Sequence, residues 1–318
     1  MPELPEVETV RSGLARLLPN KIVSTVNFDW PKGFPNSQND INAFLIGAHI
    51  VGIRRRAKVL LIDLSTDYTI VCHLKMTGQL VFVAKKPVLS SKFSVLGSAI
   101  TKSPEPRTQN NEAGEHFGAG HPSDSLVGVL PDKTTRVIIE FTDKSKLYFN
   151  DQRKFGWMRL MPTIQVPELD FFKKVGPEPL TDEFTSKVFI HRLQRKKNST
   201  IKAAILDQTV LAGVGNIYAD ESLWGAKIHP ATKVIDVPVS KLKVLHYEII
   251  FVLKLSIEKG GSTNKNYVNA EGKKGSYMEF ARVFRRENLP CPNCGTTIIK
   301  IRVAGRGTHV CPTCQKHN

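Results

Sequence analysis

The chain has 318 residues, which at roughly 150 residues per domain accommodates two domains and a large core. Hydrophobic residues make up 41% and charged residues 23%, a globular balance that excludes a disordered tail or a fibre. Lys and Arg number 45 against 29 Asp and Glu, and the formal charge of +16 favours a polyanionic partner, either nucleic acid or an acidic membrane face.

The opening MPELPEVETV is acidic and proline-punctuated, unlike the basic start and apolar run of a signal peptide. No stretch reaches the ~18 apolar residues that span a bilayer, so the expectation is a soluble cytoplasmic protein that does not enter the membrane. Val7, Val10, Leu14, Leu17 and Leu18 recur at spacings of three and four behind Pro5, which predicts an amphipathic helix over 5–18. Short β-branched runs bounded by turn residues predict strands at 21–27, 49–54, 59–64, 68–74 and 79–83, with two more at 136–141 and 146–149. Between 84 and 131 the composition shifts to Ser, Gly and Pro and periodicity is lost, so this stretch reads as a mobile surface insertion carrying a mildly apolar patch at 93–100. Beyond 162 the pattern is helical, with predicted helices at 182–193, 200–208, 216–224 and 240–257. The last 68 residues carry 12 Lys and Arg against 4 Glu, so half the net charge is concentrated near the C-terminus, as a binding surface requires.

Five cysteines are present, and four of them form two C-x2-C pairs, Cys291/Cys294 and Cys311/Cys314, sixteen residues apart. Two such knuckles set four thiolates at the corners of a tetrahedron, the closed donor set of one structural Zn²⁺ with no open position for a substrate. The strands predicted at 297–303 and 308–310 make the intervening residues a hairpin with Arg306 at its tip. Cys72 lies in an apolar run and reads as a small core residue.

The N-terminus carries a second signal. Removal of Met1 before the small Pro2 leaves a secondary amine, and an α-amino group, with a pKa near 8, is partly neutral at physiological pH. The positive end of the following helix lowers that pKa further. A neutral amine adds to sugar C1′ centres to form imines, with Glu3 and Glu6 at hand as acid and base. Taken alone, these residues are better described as a proline-rich helix start with solvated glutamates.

Their company decides between the two. MPELPEVETV, Lys58 after an Arg-rich turn, the His73-Leu-Lys-Met76-Thr-Gly78 run, Asn150-Asp-Gln-Arg153-Lys-Phe155-Gly156, Gly213-Val-Gly215-Asn216 with the following helix, and the cysteine hairpin occur in one order. Together they resemble the bacterial formamidopyrimidine-DNA glycosylase family, over 1–83 and about 132–318. The resemblance implies an α+β fold of two domains: an N-terminal catalytic β-sandwich flanked by helices over 1–161, and a helix–two-turn–helix domain over 162–260. A lesion-capping loop and linker over 261–287 and the zinc finger over 288–318 follow, with DNA lying in the cleft. It implies a repair glycosylase and lyase acting, as a monomer, on double-stranded DNA that contains damaged bases. The PELPEVE opening favours oxidised purines. An oxidised-pyrimidine glycosylase of the sister branch and a non-catalytic zinc-finger DNA-binding protein are the alternatives.

By position, the resemblance makes Pro2 the nucleophile, Glu3 the proton donor to the sugar ring oxygen, and Glu6 a supporting group. Lys58 becomes a phosphate ligand or proton donor, and Arg306 a phosphate contact that assists elimination. Met76, Arg153 and Phe155 match void-filling side chains, since a base reached by extrusion leaves a gap in the stack. His73 and Asn216 join the DNA-binding set, the latter with helix-start amides that favour anions. Lys196, Lys197 and Lys202 add salt-dependent backbone affinity or form a solvated basic face.

The chain departs from the family in three places. Lys133-Thr134-Thr135-Arg136 stands where the family carries Lys-His-Asp-His with a DNA-contacting histidine, and Arg136 is the expected substitute. Asn264-Lys265-Asn266 stands in the capping loop where a Leu-Arg-Asp type of run is usual, which bears on base preference. Lys75 replaces a glycine or arginine.

Overall fold

In the computed structural model, residues 2–84, 116–121, 123–262 and 277–317 are described. The patch at 93–100 and the run at 264–266 lie outside them. The first helix, α1 (Leu4–Leu17), buries Val7, Val10 and Leu14 on one face, and Pro5 sits in its first turn where no intrahelical donor is needed.

Strands follow in short, turn-bounded runs: β1 (Val23–Phe28), β2 (Ile50–Arg56), β3 (Val59–Leu64), β4 (Tyr68–His73), β5 (Gly78–Val83), β6 (His116–Gly120), β7 (Thr135–Phe141), β8 (Lys146–Asp151) and β9 (Trp157–Pro162). A short helical segment, α2 (Gln38–Asp40), lies between β1 and β2. The strands form two antiparallel sheets, one of five in the order β1-β7-β8-β5-β6 and one of four in the order β2-β3-β4-β9. Leu60 and Ile62 of one sheet and Leu80, Phe82 and Phe149 of the other share a single core with the apolar face of α1. This is the sandwich of an α+β protein, and it leaves the start of α1 directed at the second half of the chain.

Two of these strands are additions to the sequence reading. β9 completes the second sheet by pairing with β4. β6 lies within the stretch read as an unstructured insertion and adds an edge strand to β5. Its sequence, His-Phe-Gly-Ala-Gly, has too few side chains to display alternation, and the small residues are there because neighbours approach closely. A Cβ on Gly118 would lie 2.7 Å from the Leu126 carbonyl oxygen.

The second half is helical: α3 (Asp170–Lys174), α4 (Ser186–Gln194), α5 (Ile201–Leu206), α6 (Asn216–Gly225) and α7 (Val239–Glu258). Thr185 and Thr200 cap α4 and α5 by accepting the N–H groups of Val188 and Ala203. Leu193, Ile205, Tyr218, Leu245 and Ile249 gather these helices around a separate core. The hairpin of β10 (Ile299–Val303) and β11 (Arg306–Val310) ends the fold. Among the described residues no helix is long and apolar enough to cross a membrane.

Candidate active site

The start of α1 is held against the turn before α6. Leu4 N–H donates to the Gly213 carbonyl at 3.0 Å. Gly213 has φ +81°, and a Cβ there would also strike Leu4 Cβ at 2.6 Å, so both backbone shape and space call for glycine. The Gln208 side chain fixes the turn by accepting Gly213 N–H at 2.9 Å and donating to the Val214 carbonyl at 2.9 Å.

Glu3 and Glu6 are both buried here. Glu6 Oε2 accepts Glu3 N–H at 2.7 Å, one half of a capping box. Its Oε1 accepts from Tyr218 Oη at 2.5 Å and Ser262 N–H at 2.8 Å. One carboxylate thus joins α1, α6 and the entry to the expected capping loop. Glu3 Oε1 accepts Ile217 N–H at 3.0 Å at the opening of α6, while Oε2 is buried with no hydrogen-bond partner among the described residues. Burial pushes the Glu3 carboxyl up to about 7; Lys58 pulls it down and Glu6 adds to the rise. A carboxyl near 7 with one unengaged oxygen is suited to give and take a proton at neutral pH. Lys58 Nζ donates to the Val214 carbonyl at 3.0 Å, and burial lowers its pKa against the opposing pull of Glu3 and Glu6.

These groups line one cleft of about 690 Å³ together with Pro2, Met76, Asn216 and Arg306. Arg306 reaches it from the hairpin turn, where Ala304 and Gly305 take positive φ. Asn216 Nδ2 donates to the Gly307 carbonyl at 3.0 Å, tying the opening of α6 to that hairpin.

Arg153 and Phe155 project from the β8–β9 loop, the guanidinium 4.8 Å from the centre of the Phe155 ring, which is 52% exposed. The organiser of this loop is Asp151, which the sequence reading passes over. Its buried carboxylate accepts the N–H groups of Arg153 (3.2 Å), Phe155 (2.8 Å) and Gly156 (2.6 Å) and the hydroxyl of Thr77, next to Met76. A short buried acid after a strand, followed by a run of polar residues and glycine, is the signal that points to it.

Two expected DNA contacts, Lys202 and Arg136, are buried and paired within the fold. Lys202 is 0% exposed: Nζ pairs with Asp220 at 2.6 Å and donates to Thr308 Oγ1 at 2.7 Å, so it fastens the hairpin to the helices and offers no surface charge. Asp220 also accepts His309 N–H at 2.9 Å. Lys196 pairs with Asp207 at 2.8 Å, whereas Lys197 is exposed. His73 packs beside Trp157 and Phe171, and burial brings its pKa down to about 3, so a phosphate contact from this ring is one made by a neutral imidazole. Arg136 is buried, with its guanidinium on Asp29 at 2.7 Å, the Asp151 carbonyl at 3.0 Å and the Lys133 carbonyl at 2.8 Å, and does not substitute for a surface histidine.

The sulfurs of Cys291, Cys294, Cys311 and Cys314 all lie within 4.8 Å of one another, with Cys291–Cys314 at 3.9 Å and Cys294–Cys311 and Cys294–Cys314 at 3.5 Å. Four Zn–S bonds of ~2.3 Å in a tetrahedron require sulfur separations of about 3.8 Å, so the set fits one structural Zn²⁺. The first knuckle turns on Gly295, which takes φ +74°.

A two-sheet sandwich, a helical unit and a four-cysteine hairpin enclosing an acid–lysine–arginine cleft define a class of zinc-finger protein with its site at the chain start. Residues 1–158 match the Formamidopyrimidine-DNA glycosylase N-terminal domain, 175–267 the Formamidopyrimidine-DNA glycosylase H2TH domain, and 288–316 the zinc finger found in FPG and IleRS. The chain belongs to the formamidopyrimidine-DNA glycosylase family. It is 39% identical to the formamidopyrimidine-DNA glycosylases of Latilactobacillus sakei (99% of this chain, 98% of the relative) and Pediococcus pentosaceus (99% of each). Among solved structures it resembles the Lactococcus lactis enzyme, as a mutant in complex with DNA containing Fapy-dG and as a complex with DNA containing an abasic site. Both have 32% identity and a TM-score of 0.79, with 99% of this chain and 100% of the other covered.

Proposed function

We infer that this chain is a base-excision-repair DNA glycosylase for oxidised purines, 8-oxoguanine and formamidopyrimidine, which also cleaves the abasic strand. The observation that carries the chemistry is the Glu3 carboxyl, raised to about 7 with Oε2 unengaged, beside Pro2 on the wall of a cleft that also holds Lys58 and Arg306.

The proposed course starts with Met1 removed. Glu3 protonates the ring oxygen as the neutral nitrogen of Pro2 attacks C1′ of the extruded nucleotide and the C1′–O4′ bond opens. The glycosidic electron pair then leaves with the base, which takes up the proton lost from the Pro2 nitrogen, and an iminium remains between Pro2 and C1′. Loss of a C2′ proton expels the 3′ phosphate, a second elimination expels the 5′ phosphate, and water then releases the sugar fragment and regenerates the amine. Arg306, and Lys58 where it faces phosphate, stabilise the charge on the departing oxygens. Glu6 keeps the start of α1 in place. Met76 and Phe155 fill the emptied stack while Arg153 meets the orphaned base. Asn216 and Lys197 add backbone contacts. The Zn²⁺ holds the shape of the hairpin that presents Arg306.

The division into 1–161, 162–260, 261–287 and 288–318 follows from the same reading, as does action in the cytoplasm on the nucleoid. Excision from 8-oxoguanine·C and thymine glycol·A duplexes tests the substrate class. Faster release of 8-oxoguanine is expected, and faster release of thymine glycol would place the chain in the pyrimidine branch.

A further inference from the structure

β6 places in the cleft a side chain to which no motif points. The strand is the outermost of its sheet, with Gln79 opposite Gly120 and Val83 opposite His116. Its attachment is close: a Cβ on Gly13 of α1 would come within 1.9 Å of the Phe117 ring, and one on Gly120 within 2.6 Å of the Gly78 carbonyl oxygen. His116 Nε2 lies 2.7 Å from the Leu126 carbonyl oxygen. Glycines at both contacts let β6 lock onto the helix that carries Glu3 and onto the strand that follows Met76.

His121 comes directly after β6. Its N–H donates to the Gly78 carbonyl at 3.0 Å, and its own carbonyl accepts from Gln79 Nε2, which also donates to Ser123 Oγ at 2.7 Å. Both sides of the backbone are therefore held, and the half-buried imidazole lines the cleft with Pro2, Glu3, Lys58 and Met76. Gly78 in turn pairs with Asp151 across the sheet. Three neighbouring strands thus end in one row: His121 after β6, Met76 before β5, and Arg153 with Phe155 after β8.

We propose that His121 is a DNA-binding residue whose ring N–H donates a hydrogen bond to a phosphate oxygen of the damaged strand as the nucleotide turns into the cleft. Burial lowers its pKa, which favours the neutral ring with one donor and one acceptor. A neutral donor contributes direction without releasing counterions, so it changes affinity and leaves the salt slope alone.

The inference rests on the cleft being a DNA site, and the native protein serves as the control for that reading. Binding to a duplex containing tetrahydrofuran, a stable abasic analogue, is measured for native protein, His121→Ala and His121→Gln across a salt series, with excision kinetics and thermal melting alongside. The alanine variant is expected to bind about tenfold more weakly, as loss of a hydrogen bond to a charged acceptor implies. KM should rise in parallel, kcat should stay within twofold, and the salt slope and melting temperature should be unchanged. Glutamine, which keeps an amide donor, should recover most of the affinity. Alanine binding within twofold of native, or glutamine as weak as alanine, would overturn the role of His121 while leaving the function intact. Failure of the native protein to prefer the damaged duplex would overturn the function itself.

Discussion

A Cβ placed on Gly215 would stand 2.3 Å from Cδ of Glu3. The carboxyl fills space that a glycine leaves at the opening of α6, so two residues more than two hundred positions apart in the chain must be matched for the acid to meet Ile217 N–H. Gly215 has φ −130°, open to any residue, so space alone excludes a side chain. Gly215→Ala is expected to displace the acid and slow base release about tenfold or more, below the ~100-fold that loss of a positioned acid costs because the carboxyl is shifted and not removed. Cleavage of a preformed abasic site, which needs no base departure, should fall less. Single-turnover rates on both substrates measure this, and equal slowing of the two would contradict it.

The raised Glu3 carboxyl gives a pH dependence with a definite sign. The acid form is lost as pH rises through about 7, so base release by the native protein should decline above that pH, and Glu3→Gln should remove this limb from the profile. The same shift bears on stability. The folded state binds the proton more tightly than the unfolded chain, whose carboxyl titrates near 4.5, so this contribution is complete below about 4.5 and is lost as pH rises through about 7. Denaturant melts of native protein and Glu3→Gln at pH 5 and pH 8 should converge on a smaller pH difference in the variant.

Asp151 holds the loop that carries Arg153 and Phe155 and the hydroxyl next to Met76, the three side chains proposed to fill the void. Asp151→Asn sets an NH₂ group against N–H or O–H donors whichever way the amide turns. The KM for lesions in duplex DNA should rise about tenfold, the scale of one disturbed charge-assisted hydrogen bond. Cleavage of an abasic site in single-stranded DNA, which has no stack to fill, should change less than twofold. Equal losses on both substrates would mean that the loop acts on the chemistry instead.

Lys202 and Asp220 form a fully buried pair between the helices and the hairpin. Lys202→Met leaves Asp220 without its cation and should cost about 3–5 kcal/mol of stability. Lys202→Met with Asp220→Asn should recover part of that loss. Thermal and denaturant melts follow both, and a single variant as stable as native protein would refute the structural role.

The elements that were legible were those whose burial leaves a period in the sequence. α1 repeats its apolar residues at spacings of three and four and β3 is apolar at all but one position, because each faces the shared core. β6 was not legible, since glycine and alanine carry no pattern and its place is set by the close approach of Gly13 and Gly78. For Lys202, residue type argued for a surface, and only the fold supplies its buried partner. The cysteine quartet was readable from spacing alone because the metal dictates it. Lys58 was singled out only through the resemblance, and Glu3 and Glu6 gained their weight from it, as nothing local announces that a helix start will be buried against a turn more than two hundred residues away.

The central claim is a covalent link between Pro2 and the deoxyribose, and borohydride trapping on an 8-oxoguanine duplex tests it most directly. The native protein should yield one protein–DNA adduct per reduced intermediate, with the linkage at Pro2 of a chain lacking Met1, and Pro2→Gly should lose most of it. An adduct undiminished in Pro2→Gly, or none on any damaged duplex, would contradict the account.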